Sequence, residues 1–277
     1  GLVGSEMCIR DRENIMTLKN GKKRIVVKIG TSTLTHDTGK TNIAIIAKLA
    51  SVLSDLKNEG HEIILVSSGA IGIGMSRLRL AEKPKETQCL QAAAAVGQCE
   101  LMFLYDKLFS EYDVVVSQLL FTSDELEKKS NKECLVATLN QLLEYDCLPI
   151  VNENDSISVE ELLNGDNDCL SATVATLAKA DLLILLTDTD GLYDSNPAEN
   201  PNAKLISRVE KIDDNIRAIA GGAGKKGTGG FVTKIKAAEI AVSAGIPVVI
   251  TNGKKPTNIY HILRGQQEGT YFEAVKK

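Results

Sequence analysis

The 277-residue chain has no Trp, and Phe and Tyr together make up only 4% of it. Its core must therefore be built from Ile, Val, Leu and Ala rather than from stacked rings. Histidine is as scarce: His36, His61 and His261 lie far apart and form no H-E-x-x-H, so a zinc site is not expected. The six cysteines (Cys8, Cys89, Cys99, Cys134, Cys147 and Cys169) include no C-x-x-C pair. In a chain this long that excludes a disulfide framework, and buried free thiols in a reducing cytoplasm are the expectation. Apolar runs such as Leu182 to Leu186 are strand-sized, far short of the roughly 20 residues that span a bilayer. A net charge of −4 excludes the strongly basic balance that nucleic acid or an anionic membrane would call for. With 43% hydrophobic and 25% charged residues, disorder, collagen and coiled coil are excluded as overall classes.

The start of the chain stands apart. Residues Gly1 to Ile15 begin without Met, lack an apolar stretch of signal-peptide type, and mix Glu6, Arg10, Asp11, Arg12 and Glu13. They are expected to be a non-native, disordered leader, with native translation from Met16 and residues 16–277 forming a single domain.

From Lys22 onward, short β-branched runs alternate with helical ones. Arg24 to Ile29 reads as a buried strand, Asn42 to Glu59 as a helix stopped by Gly60, and Glu62 to Ser67 as a second strand. Helical spacing follows over Gln88 to Phe109, strand over Val114 to Leu120, helix over Asp124 to Tyr145, and strand over Leu148 to Val151. A helix over Cys169 to Lys179, a strand over Leu182 to Thr187, a helix over Thr233 to Ala244 and a strand over Val248 to Thr251 complete the pattern. Strand, crossover helix and strand repeated along a chain make an α/β fold with a mostly parallel sheet covered on both faces. The Asp-, Asn-, Gly- and Pro-rich stretch Asp188 to Pro201 divides the halves as a long loop or hairpin.

In such folds ligands bind at the carboxyl ends of the strands. The polar residues and glycines cluster there. Lys28-Ile29-Gly30-Thr31-Ser32 puts a lysine beside small residues whose amides suit phosphate oxygens; a lone lysine at a strand end is otherwise only a solvated charge. Ser67-Ser68-Gly69-Ala70-Ile71-Gly72 is a second anion-binding turn, or a plain strand-to-helix connection. Asn152-Glu153-Asn154-Asp155 and Gly165-Asp166-Asn167-Asp168 are more polar than turns require and suit an ammonium group, Mg²⁺ or a lysine; the plainer reading is that Asp166 or Asp168 caps a helix. The segment 221–230 contains G-x-G-x-x-G at Gly222, Gly224 and Gly227, the pattern of a nicotinamide-dependent dehydrogenase. It follows a helix rather than the first strand, so it fits better as a loop over a nucleotide with Lys234 reaching the phosphates. Walker A is absent.

Taken in order, these segments resemble the amino acid kinase superfamily, and within it the members that phosphorylate glutamate. The quoted pieces are joined by Leu170-Ser171-Ala172, by Leu186-Thr187-Asp188 with Gly191-Leu192-Tyr193, and by Gly227-Thr228-Gly229-Gly230 with Thr233-Lys234. The resemblance implies a three-layer α/β/α sandwich in two lobes, about 22–175 for the amino acid and about 176–277 for the nucleotide; as a departure, the C-terminal PUA domain of many bacterial members is not expected here. It implies ATP-dependent phosphorylation of the glutamate side-chain carboxylate, the first step toward proline. Rivals are members acting on N-acetylglutamate, aspartate, carbamate or uridylate, and a nucleotide-binding regulator without catalysis.

By the same resemblance Lys28, Lys234 and Asp168 are catalytic. Ser68, Asn152, Asp155 and Asn167 bind the acceptor, and Lys28, Gly30, Thr187, Asp188, Thr228, Gly229, Gly230, Phe231, Val232, Thr233 and Lys234 contact ATP. Phe231 and Val232 stand where the family often has Met and a small residue. Mg²⁺ would accompany ATP with no protein metal site. Proline as feedback inhibitor, a homo-oligomer and channelling to glutamyl phosphate reductase are further implications. The polar stretch Thr122 to Lys132 lies where regulatory loops tend to be.

Overall fold

The computed structural model describes residues 21–158, 167–197, 199–222 and 230–275. The expected leader, the segment 159–166 and the glycine-rich segment 223–229 with Thr228 and Gly229 lie outside the described residues.

Eight strands form one sheet: β1 (Arg24–Ile29), β2 (Glu62–Val66), β3 (Val116–Phe121), β4 (Leu148–Glu153), β5 (Leu182–Thr187), β6 (Arg208–Val209), β7 (Val248–Asn252) and β8 (Thr270–Phe272). Their order across the sheet is β3-β4-β2-β1-β5-β7-β8-β6. All described pairings are parallel except β7 with β8. The helices are α1 (Thr31–Leu34), α2 (Ile43–Asn58), α3 (Ala70–Arg77), α4 (Thr87–Ser110), α5 (Ser123–Glu127), α6 (Lys129–Glu144), α7 (Asn167–Leu177), α8 (Asp214–Gly222), α9 (Phe231–Ser243) and α10 (Asn258–Leu263).

The period-2 geometry of a strand sends neighbouring side chains to opposite faces. Val26, Ile64, Val66, Leu183, Leu185 and Ile250 accordingly join one core with α6, α7 and α9. Their neighbours Ile25, Val27, Ile63, Leu65, Ile184 and Val249 join a second core with α2, α4 and α10. This is the expected three-layer sandwich. Because β1, β2, β4 and β5 run parallel, their carboxyl ends share one edge of the sheet, which places Lys28, Ser67, Asn152 and Thr187 together.

Where α3 crosses α4, two glycines replace side-chain packing with backbone contact. A Cβ on Gly74 would overlap the Ala93 carbonyl, and one on Gly97 would overlap the Ala70 carbonyl. Gly97→Ala is expected to destabilise the protein by about 3 kcal/mol, because the obstacle is backbone and cannot swing aside. A lowered urea midpoint checks this; an unchanged one means the helices part freely.

The structure departs from the sequence reading in three places. The expected helix Asp124 to Tyr145 is broken at Lys128, whose backbone is extended (φ −74°, ψ 125°). A capping box opens α5 as its own unit: Glu125 N–H donates to Thr122 Oγ1 and Thr122 N–H donates to the Glu125 carboxylate. The stretch Thr122 to Lys132 is therefore largely helical rather than a loop. Second, none of the described cysteines is buried: Cys89, Cys99 and Cys134 are exposed, and Cys147 and Cys169 are half-buried. On α4 the buried stripe is Leu90, Ala93, Ala94, Gly97, Leu101 and Tyr105, which turns Cys89 and Cys99 outward. Third, β6, β8, α1 and α10 join the expected elements; Ser68-Gly69 opens α3 as the strand-to-helix reading expects, with Gly69 in the left-handed region at φ +92°.

Candidate active site

The centre is Asp168, at the start of α7 and 3% exposed. Lys28 Nζ, from the end of β1, lies 2.6 Å from Asp168 Oδ1. Lys234 Nζ, from the first turn of α9, lies 3.1 Å from Asp168 Oδ2. Thr233 Oγ1 donates to the same Oδ2 at 2.8 Å. Two lysines on one carboxylate leave a net charge of +1 in a nearly dry setting, which favours an incoming polyanion.

Burial alone would raise the Asp168 pKa, but the charges of Lys28 and Lys234 and the hydrogen bonds from Lys28 and Thr233 outweigh it. The carboxyl is held below its ordinary value and stays ionised at neutral pH. Gly30 follows Lys28 at the same edge, and a Cβ there would meet Lys28 Nζ at 3.5 Å, an ordinary contact distance.

Beside this charge cluster sits a chain of amides. Asn167, one residue before Asp168, donates from Nδ2 to the Ser67 carbonyl at 2.8 Å, to Ser68 Oγ at 3.0 Å and to Asn152 Oδ1 at 2.8 Å. Ends of β2 and β4 and the N-terminus of α7 thus meet at one side chain. Ser67 Oγ lies 2.9 Å from the hydroxyl of Tyr105, a fully buried residue of α4. Burial pushes the Tyr105 phenol up, against a smaller opposite pull from Ser67, so it remains neutral. A cavity of about 440 Å³ opens alongside, lined by Gln98, Met102, Gln118, Glu153 and Asp155 among others.

On the other side of Lys28, β5 carries Thr187, which is buried and donates from Oγ1 to Asp188 Oδ1 at 3.1 Å. Asp188 itself is exposed. Lys28, Asp168, Lys234 and Thr233 therefore converge, Ser68, Asn152 and Asn167 form the adjoining cluster, and Asp155 lies on the cavity wall. Val232 is exposed, Gly230 is exposed, and Phe231 packs against the core next to α9. The sequence reading did not single out Gln98, Ser67 as a side chain, or Tyr105. Nothing in the order of residues along α4 marks Gln98 or Tyr105, and Ser67 reads only as part of its turn.

A sequence model described as the amino acid kinase family matches residues 23–252. The chain belongs to the amino acid kinase family. Curated relatives of this amino acid kinase carry the name glutamate 5-kinase. One from Clostridium acetobutylicum is 54% identical over 250 residues, covering 90% of this chain and 94% of the relative. One from Listeria monocytogenes serotype 4b is 50% identical over 266 residues, 94% of this chain and 96% of the relative.

Solved structures agree on the fold. Carbamate kinase from Giardia lamblia bound to AMP-PNP has a TM-score of 0.66 at 15% identity, over 93% of this chain and 100% of that one. The T. acidophilum isopentenyl phosphate kinase product complex has a TM-score of 0.61 at 19% identity, over 90% of this chain and 100% of that one. No helix among the described residues is long and apolar enough to cross a membrane.

Proposed function

We propose that this amino acid kinase transfers the γ-phosphoryl group of ATP to the side-chain carboxylate of L-glutamate, giving L-glutamyl 5-phosphate for proline biosynthesis in the cytoplasm. The observation that carries the reading is the buried Lys28–Asp168–Lys234 cluster beside the Asn167–Asn152–Ser68 cluster. Relatives named glutamate 5-kinase, at 50% identity and above, support the choice of acceptor.

A carboxylate oxygen of the acceptor attacks the γ-phosphorus, a new O–P bond forms, and the bond to the β-phosphate oxygen breaks with its electron pair leaving on ADP. The acceptor is already ionised at neutral pH, so no general base is needed. The protein's work is placement and charge. Lys28 and Lys234 stabilise negative charge on the transferring and leaving phosphates, and Asp168 holds both ammonium groups in range. Asp155 and Asn167 take the acceptor's ammonium group, with Ser68 and Asn152 beside them. Thr187, Asp188, Gly30 and the segment Thr228 to Lys234 face the nucleotide. In this arrangement residues 22–175 supply the acceptor lobe and 176–277 the nucleotide lobe.

The described residues include no cluster of three or more His, Cys, Asp or Glu suited to a metal ion. Both Asp168 oxygens are already engaged by cations. Mg²⁺ would therefore be carried on the nucleotide's own phosphates, where it neutralises charge.

The test is ADP release measured by a coupled assay with glutamate, N-acetylglutamate, aspartate, carbamate and uridylate as acceptors. Glutamate is expected to turn over and the others not; turnover of N-acetylglutamate without glutamate overturns the assignment. Adding proline to the glutamate titration is expected to raise the glutamate concentration needed for half-maximal rate. The further proposals that the protein acts as a homo-oligomer and passes its product to glutamyl phosphate reductase follow from the same reading.

A further inference from the structure

Gln98 lies on α4, outside every motif at the strand ends. Its Oε1 accepts a hydrogen bond from Asn152 Nδ2 at 2.8 Å. Its Nε2 is buried and has no hydrogen-bond partner among the described residues. Tyr105, two helical turns further along the same buried side, reaches Ser67. One helix thus touches both strand ends that Asn167 joins.

Backbone groups set the sense of this amide chain, since a backbone N–H only donates and a carbonyl only accepts. Glu153 N–H donates to Asn152 Oδ1 at 2.9 Å. The other arm of Asn152 is therefore its NH₂, and that arm needs an acceptor, which Gln98 Oε1 provides. The Ser67 carbonyl, 2.8 Å from Asn167, requires the Asn167 NH₂ on that side. Asn152 Oδ1 accepts from the same NH₂. The Asn167 carbonyl oxygen is the arm left outside the chain. An ammonium group donates only, so an amide presenting oxygen attracts it and an amide presenting NH₂ repels it.

We propose that Gln98 is a positioning residue for the acceptor subsite. By giving Asn152 Nδ2 its acceptor, it holds in place the Asn152 and Asn167 amides, whose direction the backbone sets, so that Asn167 offers oxygen to the acceptor's ammonium group. The inference rests on the reading that an amino acid is the acceptor at this subsite. Without Gln98 Oε1, Asn152 keeps its backbone contact but holds a buried NH₂ with nothing to receive it. The cheapest relief is a shift of the Asn152 side chain toward water in the cavity, which draws Asn167 with it.

The experiment compares steady-state kinetics of the wild type, Gln98→Leu, Asn152→Ala and the double variant. Gln98→Leu is expected to raise KM for glutamate about tenfold or more, the size seen when supporting partners of binding residues are removed. Its KM for ATP should stay unchanged. In kcat/KM for glutamate the double variant is expected to match Asn152→Ala alone, because Gln98 acts through Asn152. An unchanged glutamate KM in folded Gln98→Leu overturns the proposal, as do additive losses in the double variant. Should Gln98→Leu fail to fold, Gln98→Met, unbranched and without an amide, carries the same expectations. Wild-type protein with no turnover on glutamate overturns the acceptor reading itself, and the inference falls with it; that result is told apart because it appears before any substitution is made.

Discussion

Lys28→Ala and Lys234→Ala are each expected to lower kcat about a hundredfold or more. Each ammonium is nearly out of water, at 7% and 12% side-chain exposure, so its field on a developing phosphate charge is weakly screened. Preorganised contacts of this kind are typically worth two to three orders of magnitude in kcat. The two substitutions should differ in what else they change. Lys28 borders Gly30 and the β5 edge, where the nucleotide contacts are proposed, so its loss should also raise KM for ATP. Lys234 extends from α9 onto Asp168 Oδ2, so its effect should fall mostly on kcat. Rapid-quench measurement of a single turnover isolates the chemical step. Near-wild-type rates in both variants would refute phosphoryl transfer between these lysines.

Asp168→Asn is the second large expected effect, and it acts on activity and stability together. Asparagine keeps the shape but removes the negative charge that bridges two buried ammonium groups. Breaking a buried ionic cluster by removing one partner costs about 3–5 kcal/mol, and kcat should fall at least as far as in the lysine variants.

The pH dependence has a defined sign. The folded-state pKa of Asp168 is depressed below the ordinary 3.8. The cluster's stabilisation is therefore complete above that value and is lost as pH falls through the lower folded-state value. Urea unfolding of wild type and Asp168→Asn should differ most at pH 5 to 8, and the gap should narrow as pH falls below the ordinary 3.8. A gap that stays constant down to acid pH would mean that the lost stability is not the charge of Asp168.

The architecture and the charged centre were legible because both follow from short-range rules. β1, β2, β4 and β5 announce themselves as apolar runs separated by helical spacing, and a parallel sheet must bring their carboxyl ends to one edge. That geometry alone gathers Lys28, Ser68, Asn152 and Thr187. Asp168 and Asn167 were readable as the polar opening of a helix.

What escaped detection depends on distant partners. Lys128 looks like any helical lysine, and its extended backbone between α5 and α6 leaves no mark in the residue pattern. β6 and β8 are two and three residues long, too short to show a period. The outward turn of Cys89 and Cys99 is settled by which side of α4 meets α3. Gln98 and Tyr105 are ordinary helix residues until the ends of β4 and β2 arrive beside them.

The glycine contact between α3 and α4 also governs how such a cavity can vary. Because backbone meets backbone at Gly74 and Gly97, the two helices have no slack in their separation. Room for a larger or smaller acceptor cannot come from sliding α4 outward. Gln98 apart, it has to come from the side chains that line the cavity, among them Ala94, Ala95, Cys99 and Met102 of α4. Those four positions act as adjustable fittings on a fixed frame. A redesign of acceptor size would begin there and leave the helix crossing untouched.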